Sequence, residues 1–241
     1  APRKRRSAFG LRPFTLHKRK GCQRLVFDCR RANAYFKRPP PCAMGSLEGL
    51  GGLDLSNGAI GSAQAFAYAG DVPDMFYACS TEERSDSTPT GLEGYFWLED
   101  LTGALFERLK ARALAEGLGS PAEWAAADAL CLTVLVMGWT WAPVFAQWTL
   151  EAAMDDALGP PAADERSSRP VGPPAVVHGR PPPVGRTDAQ GGVRMDYIDD
   201  WSGIVLGVNK HEARKRAQRR LDSGRRALRS RCLGSHKEQL A

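Results

Sequence analysis

The stretch Met195-Asp196-Tyr197-Ile198-Asp199-Asp200-Trp201 decides how this chain is read. Ser202 and Gly203 follow, then the apolar run Ile204-Val205-Leu206, so residues 195–208 read as a β-hairpin with Asp199 and Asp200 near its turn. Adjacent carboxylates repel one another, which costs stability unless a cation sits between them. In isolation an Asp-Asp pair marks an exposed turn. Here a tyrosine precedes the pair and a second apolar strand follows it, a context that favours a built site.

Upstream lies a second acidic cluster, Gly70-Asp71-Val72-Pro73-Asp74-Met75-Phe76-Tyr77. Residues 63–71 are small and apolar, with aromatics at Phe66 and Tyr68, and read as a buried strand that delivers Asp71. Asp71 on a strand beside Asp199 and Asp200 would complete a site for two Mg²⁺ ions, which take hard oxygen ligands. Two such ions can stabilise the attacking and leaving oxygens of a phosphoryl transfer.

Around these clusters the chain alternates short strands and helices. The segment Arg24-Leu25-Val26-Phe27-Asp28 reads as a strand, and Pro39-Pro40-Pro41 ends any regular element after it. Residues 44–62 are Gly-rich and loop-like, with one helical turn near Leu47, and residues 81–91 form a polar loop. Residues 95–98 and 130–136 read as strands from their aromatic and β-branched content. Residues 101–118 and 144–158 are helix-compatible, the second starting at Pro143. Residues 159–192 are Pro-rich and read as a surface insertion or disordered loop, and residues 210–231 form a strongly basic helix. The resulting class is α+β.

The chain has 241 residues, 43% hydrophobic and 25% charged, which are globular values. No apolar run approaches the roughly 20 residues that span a bilayer, and no secretory leader is visible, so an intracellular protein, cytoplasmic or nuclear, is expected. The first residue is not Met, which points to a fragment or a processed chain. Net charge is +6 but polarised: residues 1–40 hold 13 Lys and Arg against one acid, and residues 210–241 hold 11 against three. The remaining 169 residues carry a net charge of −14. Basic flanks around an acidic centre suit a polyanion held at the edges, though solvated surface charge would give the same arithmetic. The six cysteines include no Cys-x-x-Cys pair, which argues against zinc, and the four scattered histidines offer no partner for a nucleophile.

Taken together, four ordered motifs over residues 24–200 make the sequence resemble the reverse transcriptase family, in the fingers and palm of retroelement polymerases. Tyr197-Ile198-Asp199-Asp200 is similar to that family's Tyr-x-Asp-Asp signature. Asp71 through Tyr77 resembles the motif in which a metal-binding Asp is followed five residues later by an aromatic. Met137-Gly138-Trp139-Thr140-Trp141-Ala142-Pro143 resembles the motif whose Gly and Pro frame the nucleotide pocket. Arg24 through Asn33 resembles the fingers motif whose first Arg contacts triphosphate.

The resemblance implies a right-hand polymerase fingers–palm fold, with the palm a split βαβ antiparallel sheet backed by helices. On that reading residues 1–60 are a basic arm and fingers, 61–80 a palm strand, 81–133 the second part of the fingers, and 134–241 the rest of the palm. A thumb and an RNase H region have no counterpart. The implied reaction is RNA-directed DNA synthesis, in which a DNA primer 3′-hydroxyl attacks a dNTP on an RNA template with two Mg²⁺ ions, or Mn²⁺ in their place. Asp71, Asp199 and Asp200 would be catalytic and hold the metals, with the Val72 carbonyl as a further ligand. Arg24, Asp74, Met75, Met137 and Gly138 would bind the nucleotide, and Phe76 would be a steric gate against the 2′-hydroxyl. Tyr197, Lys18, Lys20 and Arg30 would face primer or template, and Lys237 matches a late lysine near the pyrophosphate. The basic helix would lie beside the template–primer duplex. The chain departs from the pattern at Met137, where many relatives have Gln, and at Trp141-Ala142, where many have Gly-Ser. Two rivals remain: an RNA-dependent RNA polymerase, and an inactive remnant that only binds nucleic acid.

Overall fold

Successive side chains of an extended segment point to opposite faces, so Phe66, Tyr68 and Gly70 share one face and Ala67, Ala69 and Asp71 the other. In the computed structural model of the chain the first set is buried and the second half-buried. The structure describes residues 1–17, 21, 23–81, 92, 94–159, 175–177 and 192–240. In chain order its elements are β1 (Pro2–Arg3), β2 (Arg12–His17), β3 (Gln23–Asp28), α1 (Arg30–Tyr35), α2 (Leu47–Gly51), α3 (Asn57–Ile60), β4 (Gln64–Asp71) and α4 (Met75–Ala78). They continue with α5 (Gly103–Ala115), α6 (Pro121–Ala126), β5 (Ala129–Leu130), α7 (Ala142–Leu158), β6 (Gly192–Tyr197), β7 (Asp200–Gly207), α8 (Lys210–Ser230) and β8 (His236–Leu240). The fold is α+β, with antiparallel strand pairing throughout the three sheets. Among the described residues no helix is long and apolar enough to cross a membrane.

The chain forms two units, Ala1–Pro39 with Phe76–Pro143, and Pro40–Met75 with Val144–Ala241. The second unit is built on a four-stranded sheet in the order β6-β7-β4-β8. Its register aligns Tyr68 with Gly203 and Gly70 with Trp201, so these residues share the buried face. That face packs on α8. Trp201 is 1% exposed, and Cβ atoms built on Gly70 and Gly224 would come within 2.8 and 2.6 Å of its indole. Glycine is therefore required on both sides of the ring. Helix α8 presents Ala213, Ala217, Leu221, Gly224, Ala227 and Leu228 to the sheet, a single face at helical spacing. Asn209 caps its start by accepting from the Glu212 backbone N–H at 2.9 Å. From α7, Asp155 pairs with Arg194 of β6, so this helix also backs the sheet.

In the first unit β2 and β3 form an exposed hairpin in which Phe27 alone is buried. The core beside it is aromatic: Trp139 stacks edge-on against Phe96 at 4.8 Å and Phe36 at 5.2 Å. Helix α6 starts with a reciprocal capping box between Ser120 and Glu123, with Pro121 in the first turn. Trp124 of α6 packs on Phe106 of α5.

Two expected strands are absent as such. Residues 95–98 make only single-residue bridges, Leu98 to Leu11 and Trp97 to Cys131. Residues 130–136 pair as a strand only at β5. The reason is that their N–H groups serve several segments in turn: Cys131 donates to Ala1, Leu132 to Phe96, and Leu135 to Cys79. Burial makes the segment apolar without any continuous ladder. Three strands arise where none was expected, the two-residue β1, the exposed β2 and the edge strand β8. The polar loop expected at 81–91 and the Pro-rich stretch at 159–192 fall largely outside the described residues.

Candidate active site

In the second unit the carboxylates are brought together by strand register. Asp71 on β4 pairs with Asp200 on β7, and Asp200 pairs in turn with Tyr197 on β6. Directly paired residues in an antiparallel ladder have Cα atoms about 4.5–5.5 Å apart and share a face. The face is the one away from α8, because the neighbouring Gly70–Trp201 pair packs on that helix. Asp199 joins the group through the backbone, its carbonyl accepting from the Val72 N–H at 2.7 Å.

The turn that presents Asp199 is strained. Ile198 has φ +52°, a left-handed conformation that β-branched residues disfavour. Gln147 of α7, fully buried, holds it. Its Oε1 accepts from the Ile198 N–H at 2.7 Å, and its Nε2 donates to the Asp196 carbonyl at 3.0 Å and to Glu151 Oε1 at 2.9 Å. One amide thus clamps both sides of Tyr197. Sequence reasoning missed Gln147 because its helix mixes apolar residues with Thr149, Glu151, Asp155 and Asp156, so a single amide among them gave no distinct signal. Below the hairpin Arg194 and Asp196 are buried, with Arg194 Nε 3.2 Å from Asp196 Oδ2.

Charge is concentrated on the acidic face. Asp200 is pushed above the ordinary carboxylate range by partial burial and by the negative charges of Asp199 and Asp71, with Lys237 opposing. Lys237 Nζ lies 2.5 Å from Asp71 Oδ2, and that hydrogen bond raises the ammonium's own pKa. Lys237 reaches this position from β8 with φ +51°. As the side chains stand, no group of three His, Cys, Asp or Glu among the described residues is placed to hold a metal ion. The donor set nevertheless fits a hard divalent cation: three carboxylates and the Val72 backbone, with only hard oxygen donors. The ammonium of Lys237 is the positive charge that Asp71 holds.

No protein-family model matches the chain, and no curated protein matches it significantly. The remaining candidate residues are therefore placed by geometry alone. In the second unit Met75 is buried, Asp74 is exposed with φ +51°, and Tyr197 is 43% exposed beside Asp200.

The others described belong to the first unit. Arg24 on β3 is exposed and pairs in register with Leu16. Arg30 is engaged within the chain: its Nε lies 2.9 Å from Asp28 Oδ1 and a terminal nitrogen 2.6 Å from Oδ2. That fork brings the Asp28 carboxyl down to about 2. Phe76 is half-buried in α4, and its neighbour Tyr77 donates to the Leu25 carbonyl at 2.7 Å. Met137 accepts at its carbonyl from the Phe27 N–H at 3.3 Å. Gly138 has φ +112°, and a Cβ there would stand 2.6 Å from the Phe27 carbonyl oxygen. The close approach that demands glycine is thus to β3. Asn33 secures this loop, donating to the Gly138 carbonyl at 3.0 Å and accepting from the Thr140 N–H at 2.9 Å. Lys18 and Lys20 lie outside the described residues.

Proposed function

We propose that the chain is the fingers–palm part of an RNA-directed DNA polymerase, a reverse transcriptase of a retroelement. The observation that supports this best is the pairing of Asp71 with Asp200 across β4 and β7, with Asp199 on the adjoining turn. Strand, hairpin and helix would then form the palm. Asp71, Asp199 and Asp200, with the Val72 carbonyl, would hold two Mg²⁺ ions, or Mn²⁺. When bound, such ions stabilise charge on the attacking and leaving oxygens of an in-line displacement.

The chain's own part is to gather Asp71 and Asp200 on one sheet face, with Asp199 on the adjoining turn, and to hold that turn in place. Gln147 does the second by fixing the backbone on both sides of Tyr197. Lys237 neutralises part of the charge and stands ready beside Asp71. The substrates would be a dNTP, a DNA primer and an RNA template. Nucleotide roles for Arg24, Asp74, Met75, Phe76, Met137 and Gly138 rest on the resemblance. Phe76 falls five residues after Asp71, the spacing at which that family excludes the 2′-hydroxyl.

Primer extension on an RNA template with Mg²⁺, using dNTPs or rNTPs, tests the reading. The parent should incorporate dNTPs in preference to rNTPs, Asp199→Asn should incorporate neither, and Phe76→Val should admit rNTPs. A parent that uses both sugars equally would favour an RNA polymerase. A parent that binds primer–template yet extends nothing would favour the binding-only remnant.

A further inference from the structure

Helix α8 carries nine Lys and Arg in 21 residues, and the structure sorts them by face. Arg220 is buried, Arg216 pairs with Glu212 at 2.6 Å, and Arg225 pairs with Glu238 and Asp222. Lys215, Arg219, Arg226 and Arg229 are exposed, and none has a carboxylate within ion-pair distance among the described residues. At 100° per residue these four fall within an 80° arc, diametrically opposite the buried face, and they span about 21 Å of helix. Lys215 and Arg219 stand four residues apart and Arg226 and Arg229 three, and like charges at these spacings destabilise a helix by a few tenths of a kcal/mol per pair. The row is self-repelling, and of its four charges Arg229 acts on a carboxylate, helping to hold down that of Glu238.

The row is also on the wrong side for the acidic group. Helix α8 covers the Trp201 face of the sheet, whereas Asp71 and Asp200 lie on the other. Its bases therefore do not line the acidic face. We propose that the outer face of α8 is a separate binding surface for the phosphate backbone of a nucleic-acid duplex, on the back of the sheet. Charge complementarity selects a polyanion. The absence of any exposed large hydrophobic on α8 argues against a lipid surface, where an amphipathic helix buries its apolar face, because the apolar face here is spent on the sheet. It argues equally against a single strand, whose sequence-tolerant binders stack bases on aromatic side chains. Contacts made only to phosphates would be independent of sequence and strongly salt-dependent.

The test is fluorescence anisotropy of the full chain with a labelled 20-base-pair DNA duplex over a range of salt concentrations. Each phosphate contact contributes about 0.9 to the slope of log K against log salt. Lys215→Gln with Arg219→Gln should weaken binding at low salt and reduce the slope by about 1–2. Adding Arg226→Gln and Arg229→Gln should reduce it further. Exchanging the charges, Lys215→Arg with Arg219→Lys, should restore the parent slope. Arg108→Gln with Arg112→Gln, which removes two exposed charges from α5, should leave the slope unchanged. The proposal does not rest on the polymerase reading, since the slope is read on duplex binding alone, with no nucleotide present and no incorporation required. It is overturned if the α8 variants keep the parent slope, if the α5 variant loses as much, or if single-stranded RNA or anionic vesicles depend on the row more than the duplex does.

Discussion

Lys237 Nζ donates to Asp71 Oδ2 at 2.5 Å, across the β8–β4 edge of the second unit's sheet. The lysine side chain is 67% exposed, so the contact is screened and contributes little to stability. Its importance is local, because an ammonium and a divalent cation compete for the same carboxylate oxygen. Lys237→Gln should strengthen Mn²⁺ binding several-fold at neutral pH, read by electron paramagnetic resonance of the free ion. Weaker binding in the variant would mean that Lys237 supports the cation site.

Gln147 offers a second test. Replacing its amide by an apolar group of similar size leaves the Ile198 N–H without its partner, while the Asp196 carbonyl keeps the Gly45 N–H at 2.9 Å. An unsatisfied group costs about 1–3 kcal/mol, so Gln147→Leu should lose about 1–3 kcal/mol in urea unfolding. Incorporation should fall as well, since the strained turn at Ile198 would relax. A loss under about 1 kcal/mol would mean that water replaces the amide without cost.

Much of this arrangement was legible in the sequence. The alternating strand at residues 64–71, the hairpin around Asp199 and the helix from residue 210 each carry a periodic pattern that one buried face enforces. Their mutual register follows from burying Tyr68 and Trp201 together, which brings Asp71 to Asp200. What was not legible depends on tertiary partners. Strand β2 alternates only over Phe14-Thr15-Leu16-His17 and is exposed along its whole length, so no buried face enforces its pattern, and β8 reads His-Lys-Glu-Gln-Leu with no alternation. Residues 130–136 showed the reverse error, since burial without a ladder mimics a strand. Gly138 carries a constraint that the sequence did not show, since a Cβ there would meet the Phe27 carbonyl oxygen. Which face of the sheet the basic helix covers was not legible either, since only the strand register places it opposite Asp71 and Asp200.

Asp196 supplies a pH dependence. Burial dominates and raises its carboxyl to about 7, with the charges of Glu151 and Asp155 adding and Arg194 opposing. Between the ordinary value of 3.8 and about 7 the folded chain holds a proton that the unfolded chain has lost. This group's contribution to stability is therefore full below the lower value and declines as pH rises through the window. Asn cannot ionise, so Asp196→Asn should gain on the parent as pH rises from about 4 to about 7, then hold level. Chemical denaturation at several pH values measures the difference, and a gap that narrows with rising pH would contradict the assignment.

Gly224 sets two ordinary expectations against each other. Judged as a helix residue, Gly224→Ala should stabilise α8, since alanine is favoured over glycine by about 1 kcal/mol in a helix interior. Judged as a packing residue, it should do the opposite. The new Cβ would stand 2.6 Å from Trp201 Cζ3 and 2.8 Å from Cη2, closer than carbon atoms approach. The indole has little room to move, because it also packs close to the Gly70 backbone, where an added Cβ would come within 2.8 Å of it. Overpacking of this kind costs about 1–3 kcal/mol, so the clash should outweigh the propensity and leave a net loss of up to about 2 kcal/mol. Trp201 adjoins Asp200, so its displacement should also disturb the acidic face and lower divalent cation affinity. Thermal and urea unfolding read the first effect, and Mn²⁺ titration reads the second. A variant more stable than the parent would show that α8 can lift off the sheet without penalty, and that the glycine-flanked indole does not fix the distance between them. Pairing Gly224→Ala with Trp201→Phe, which removes the clashing ring atoms, should recover part of the packing loss, whereas two independent effects would simply add.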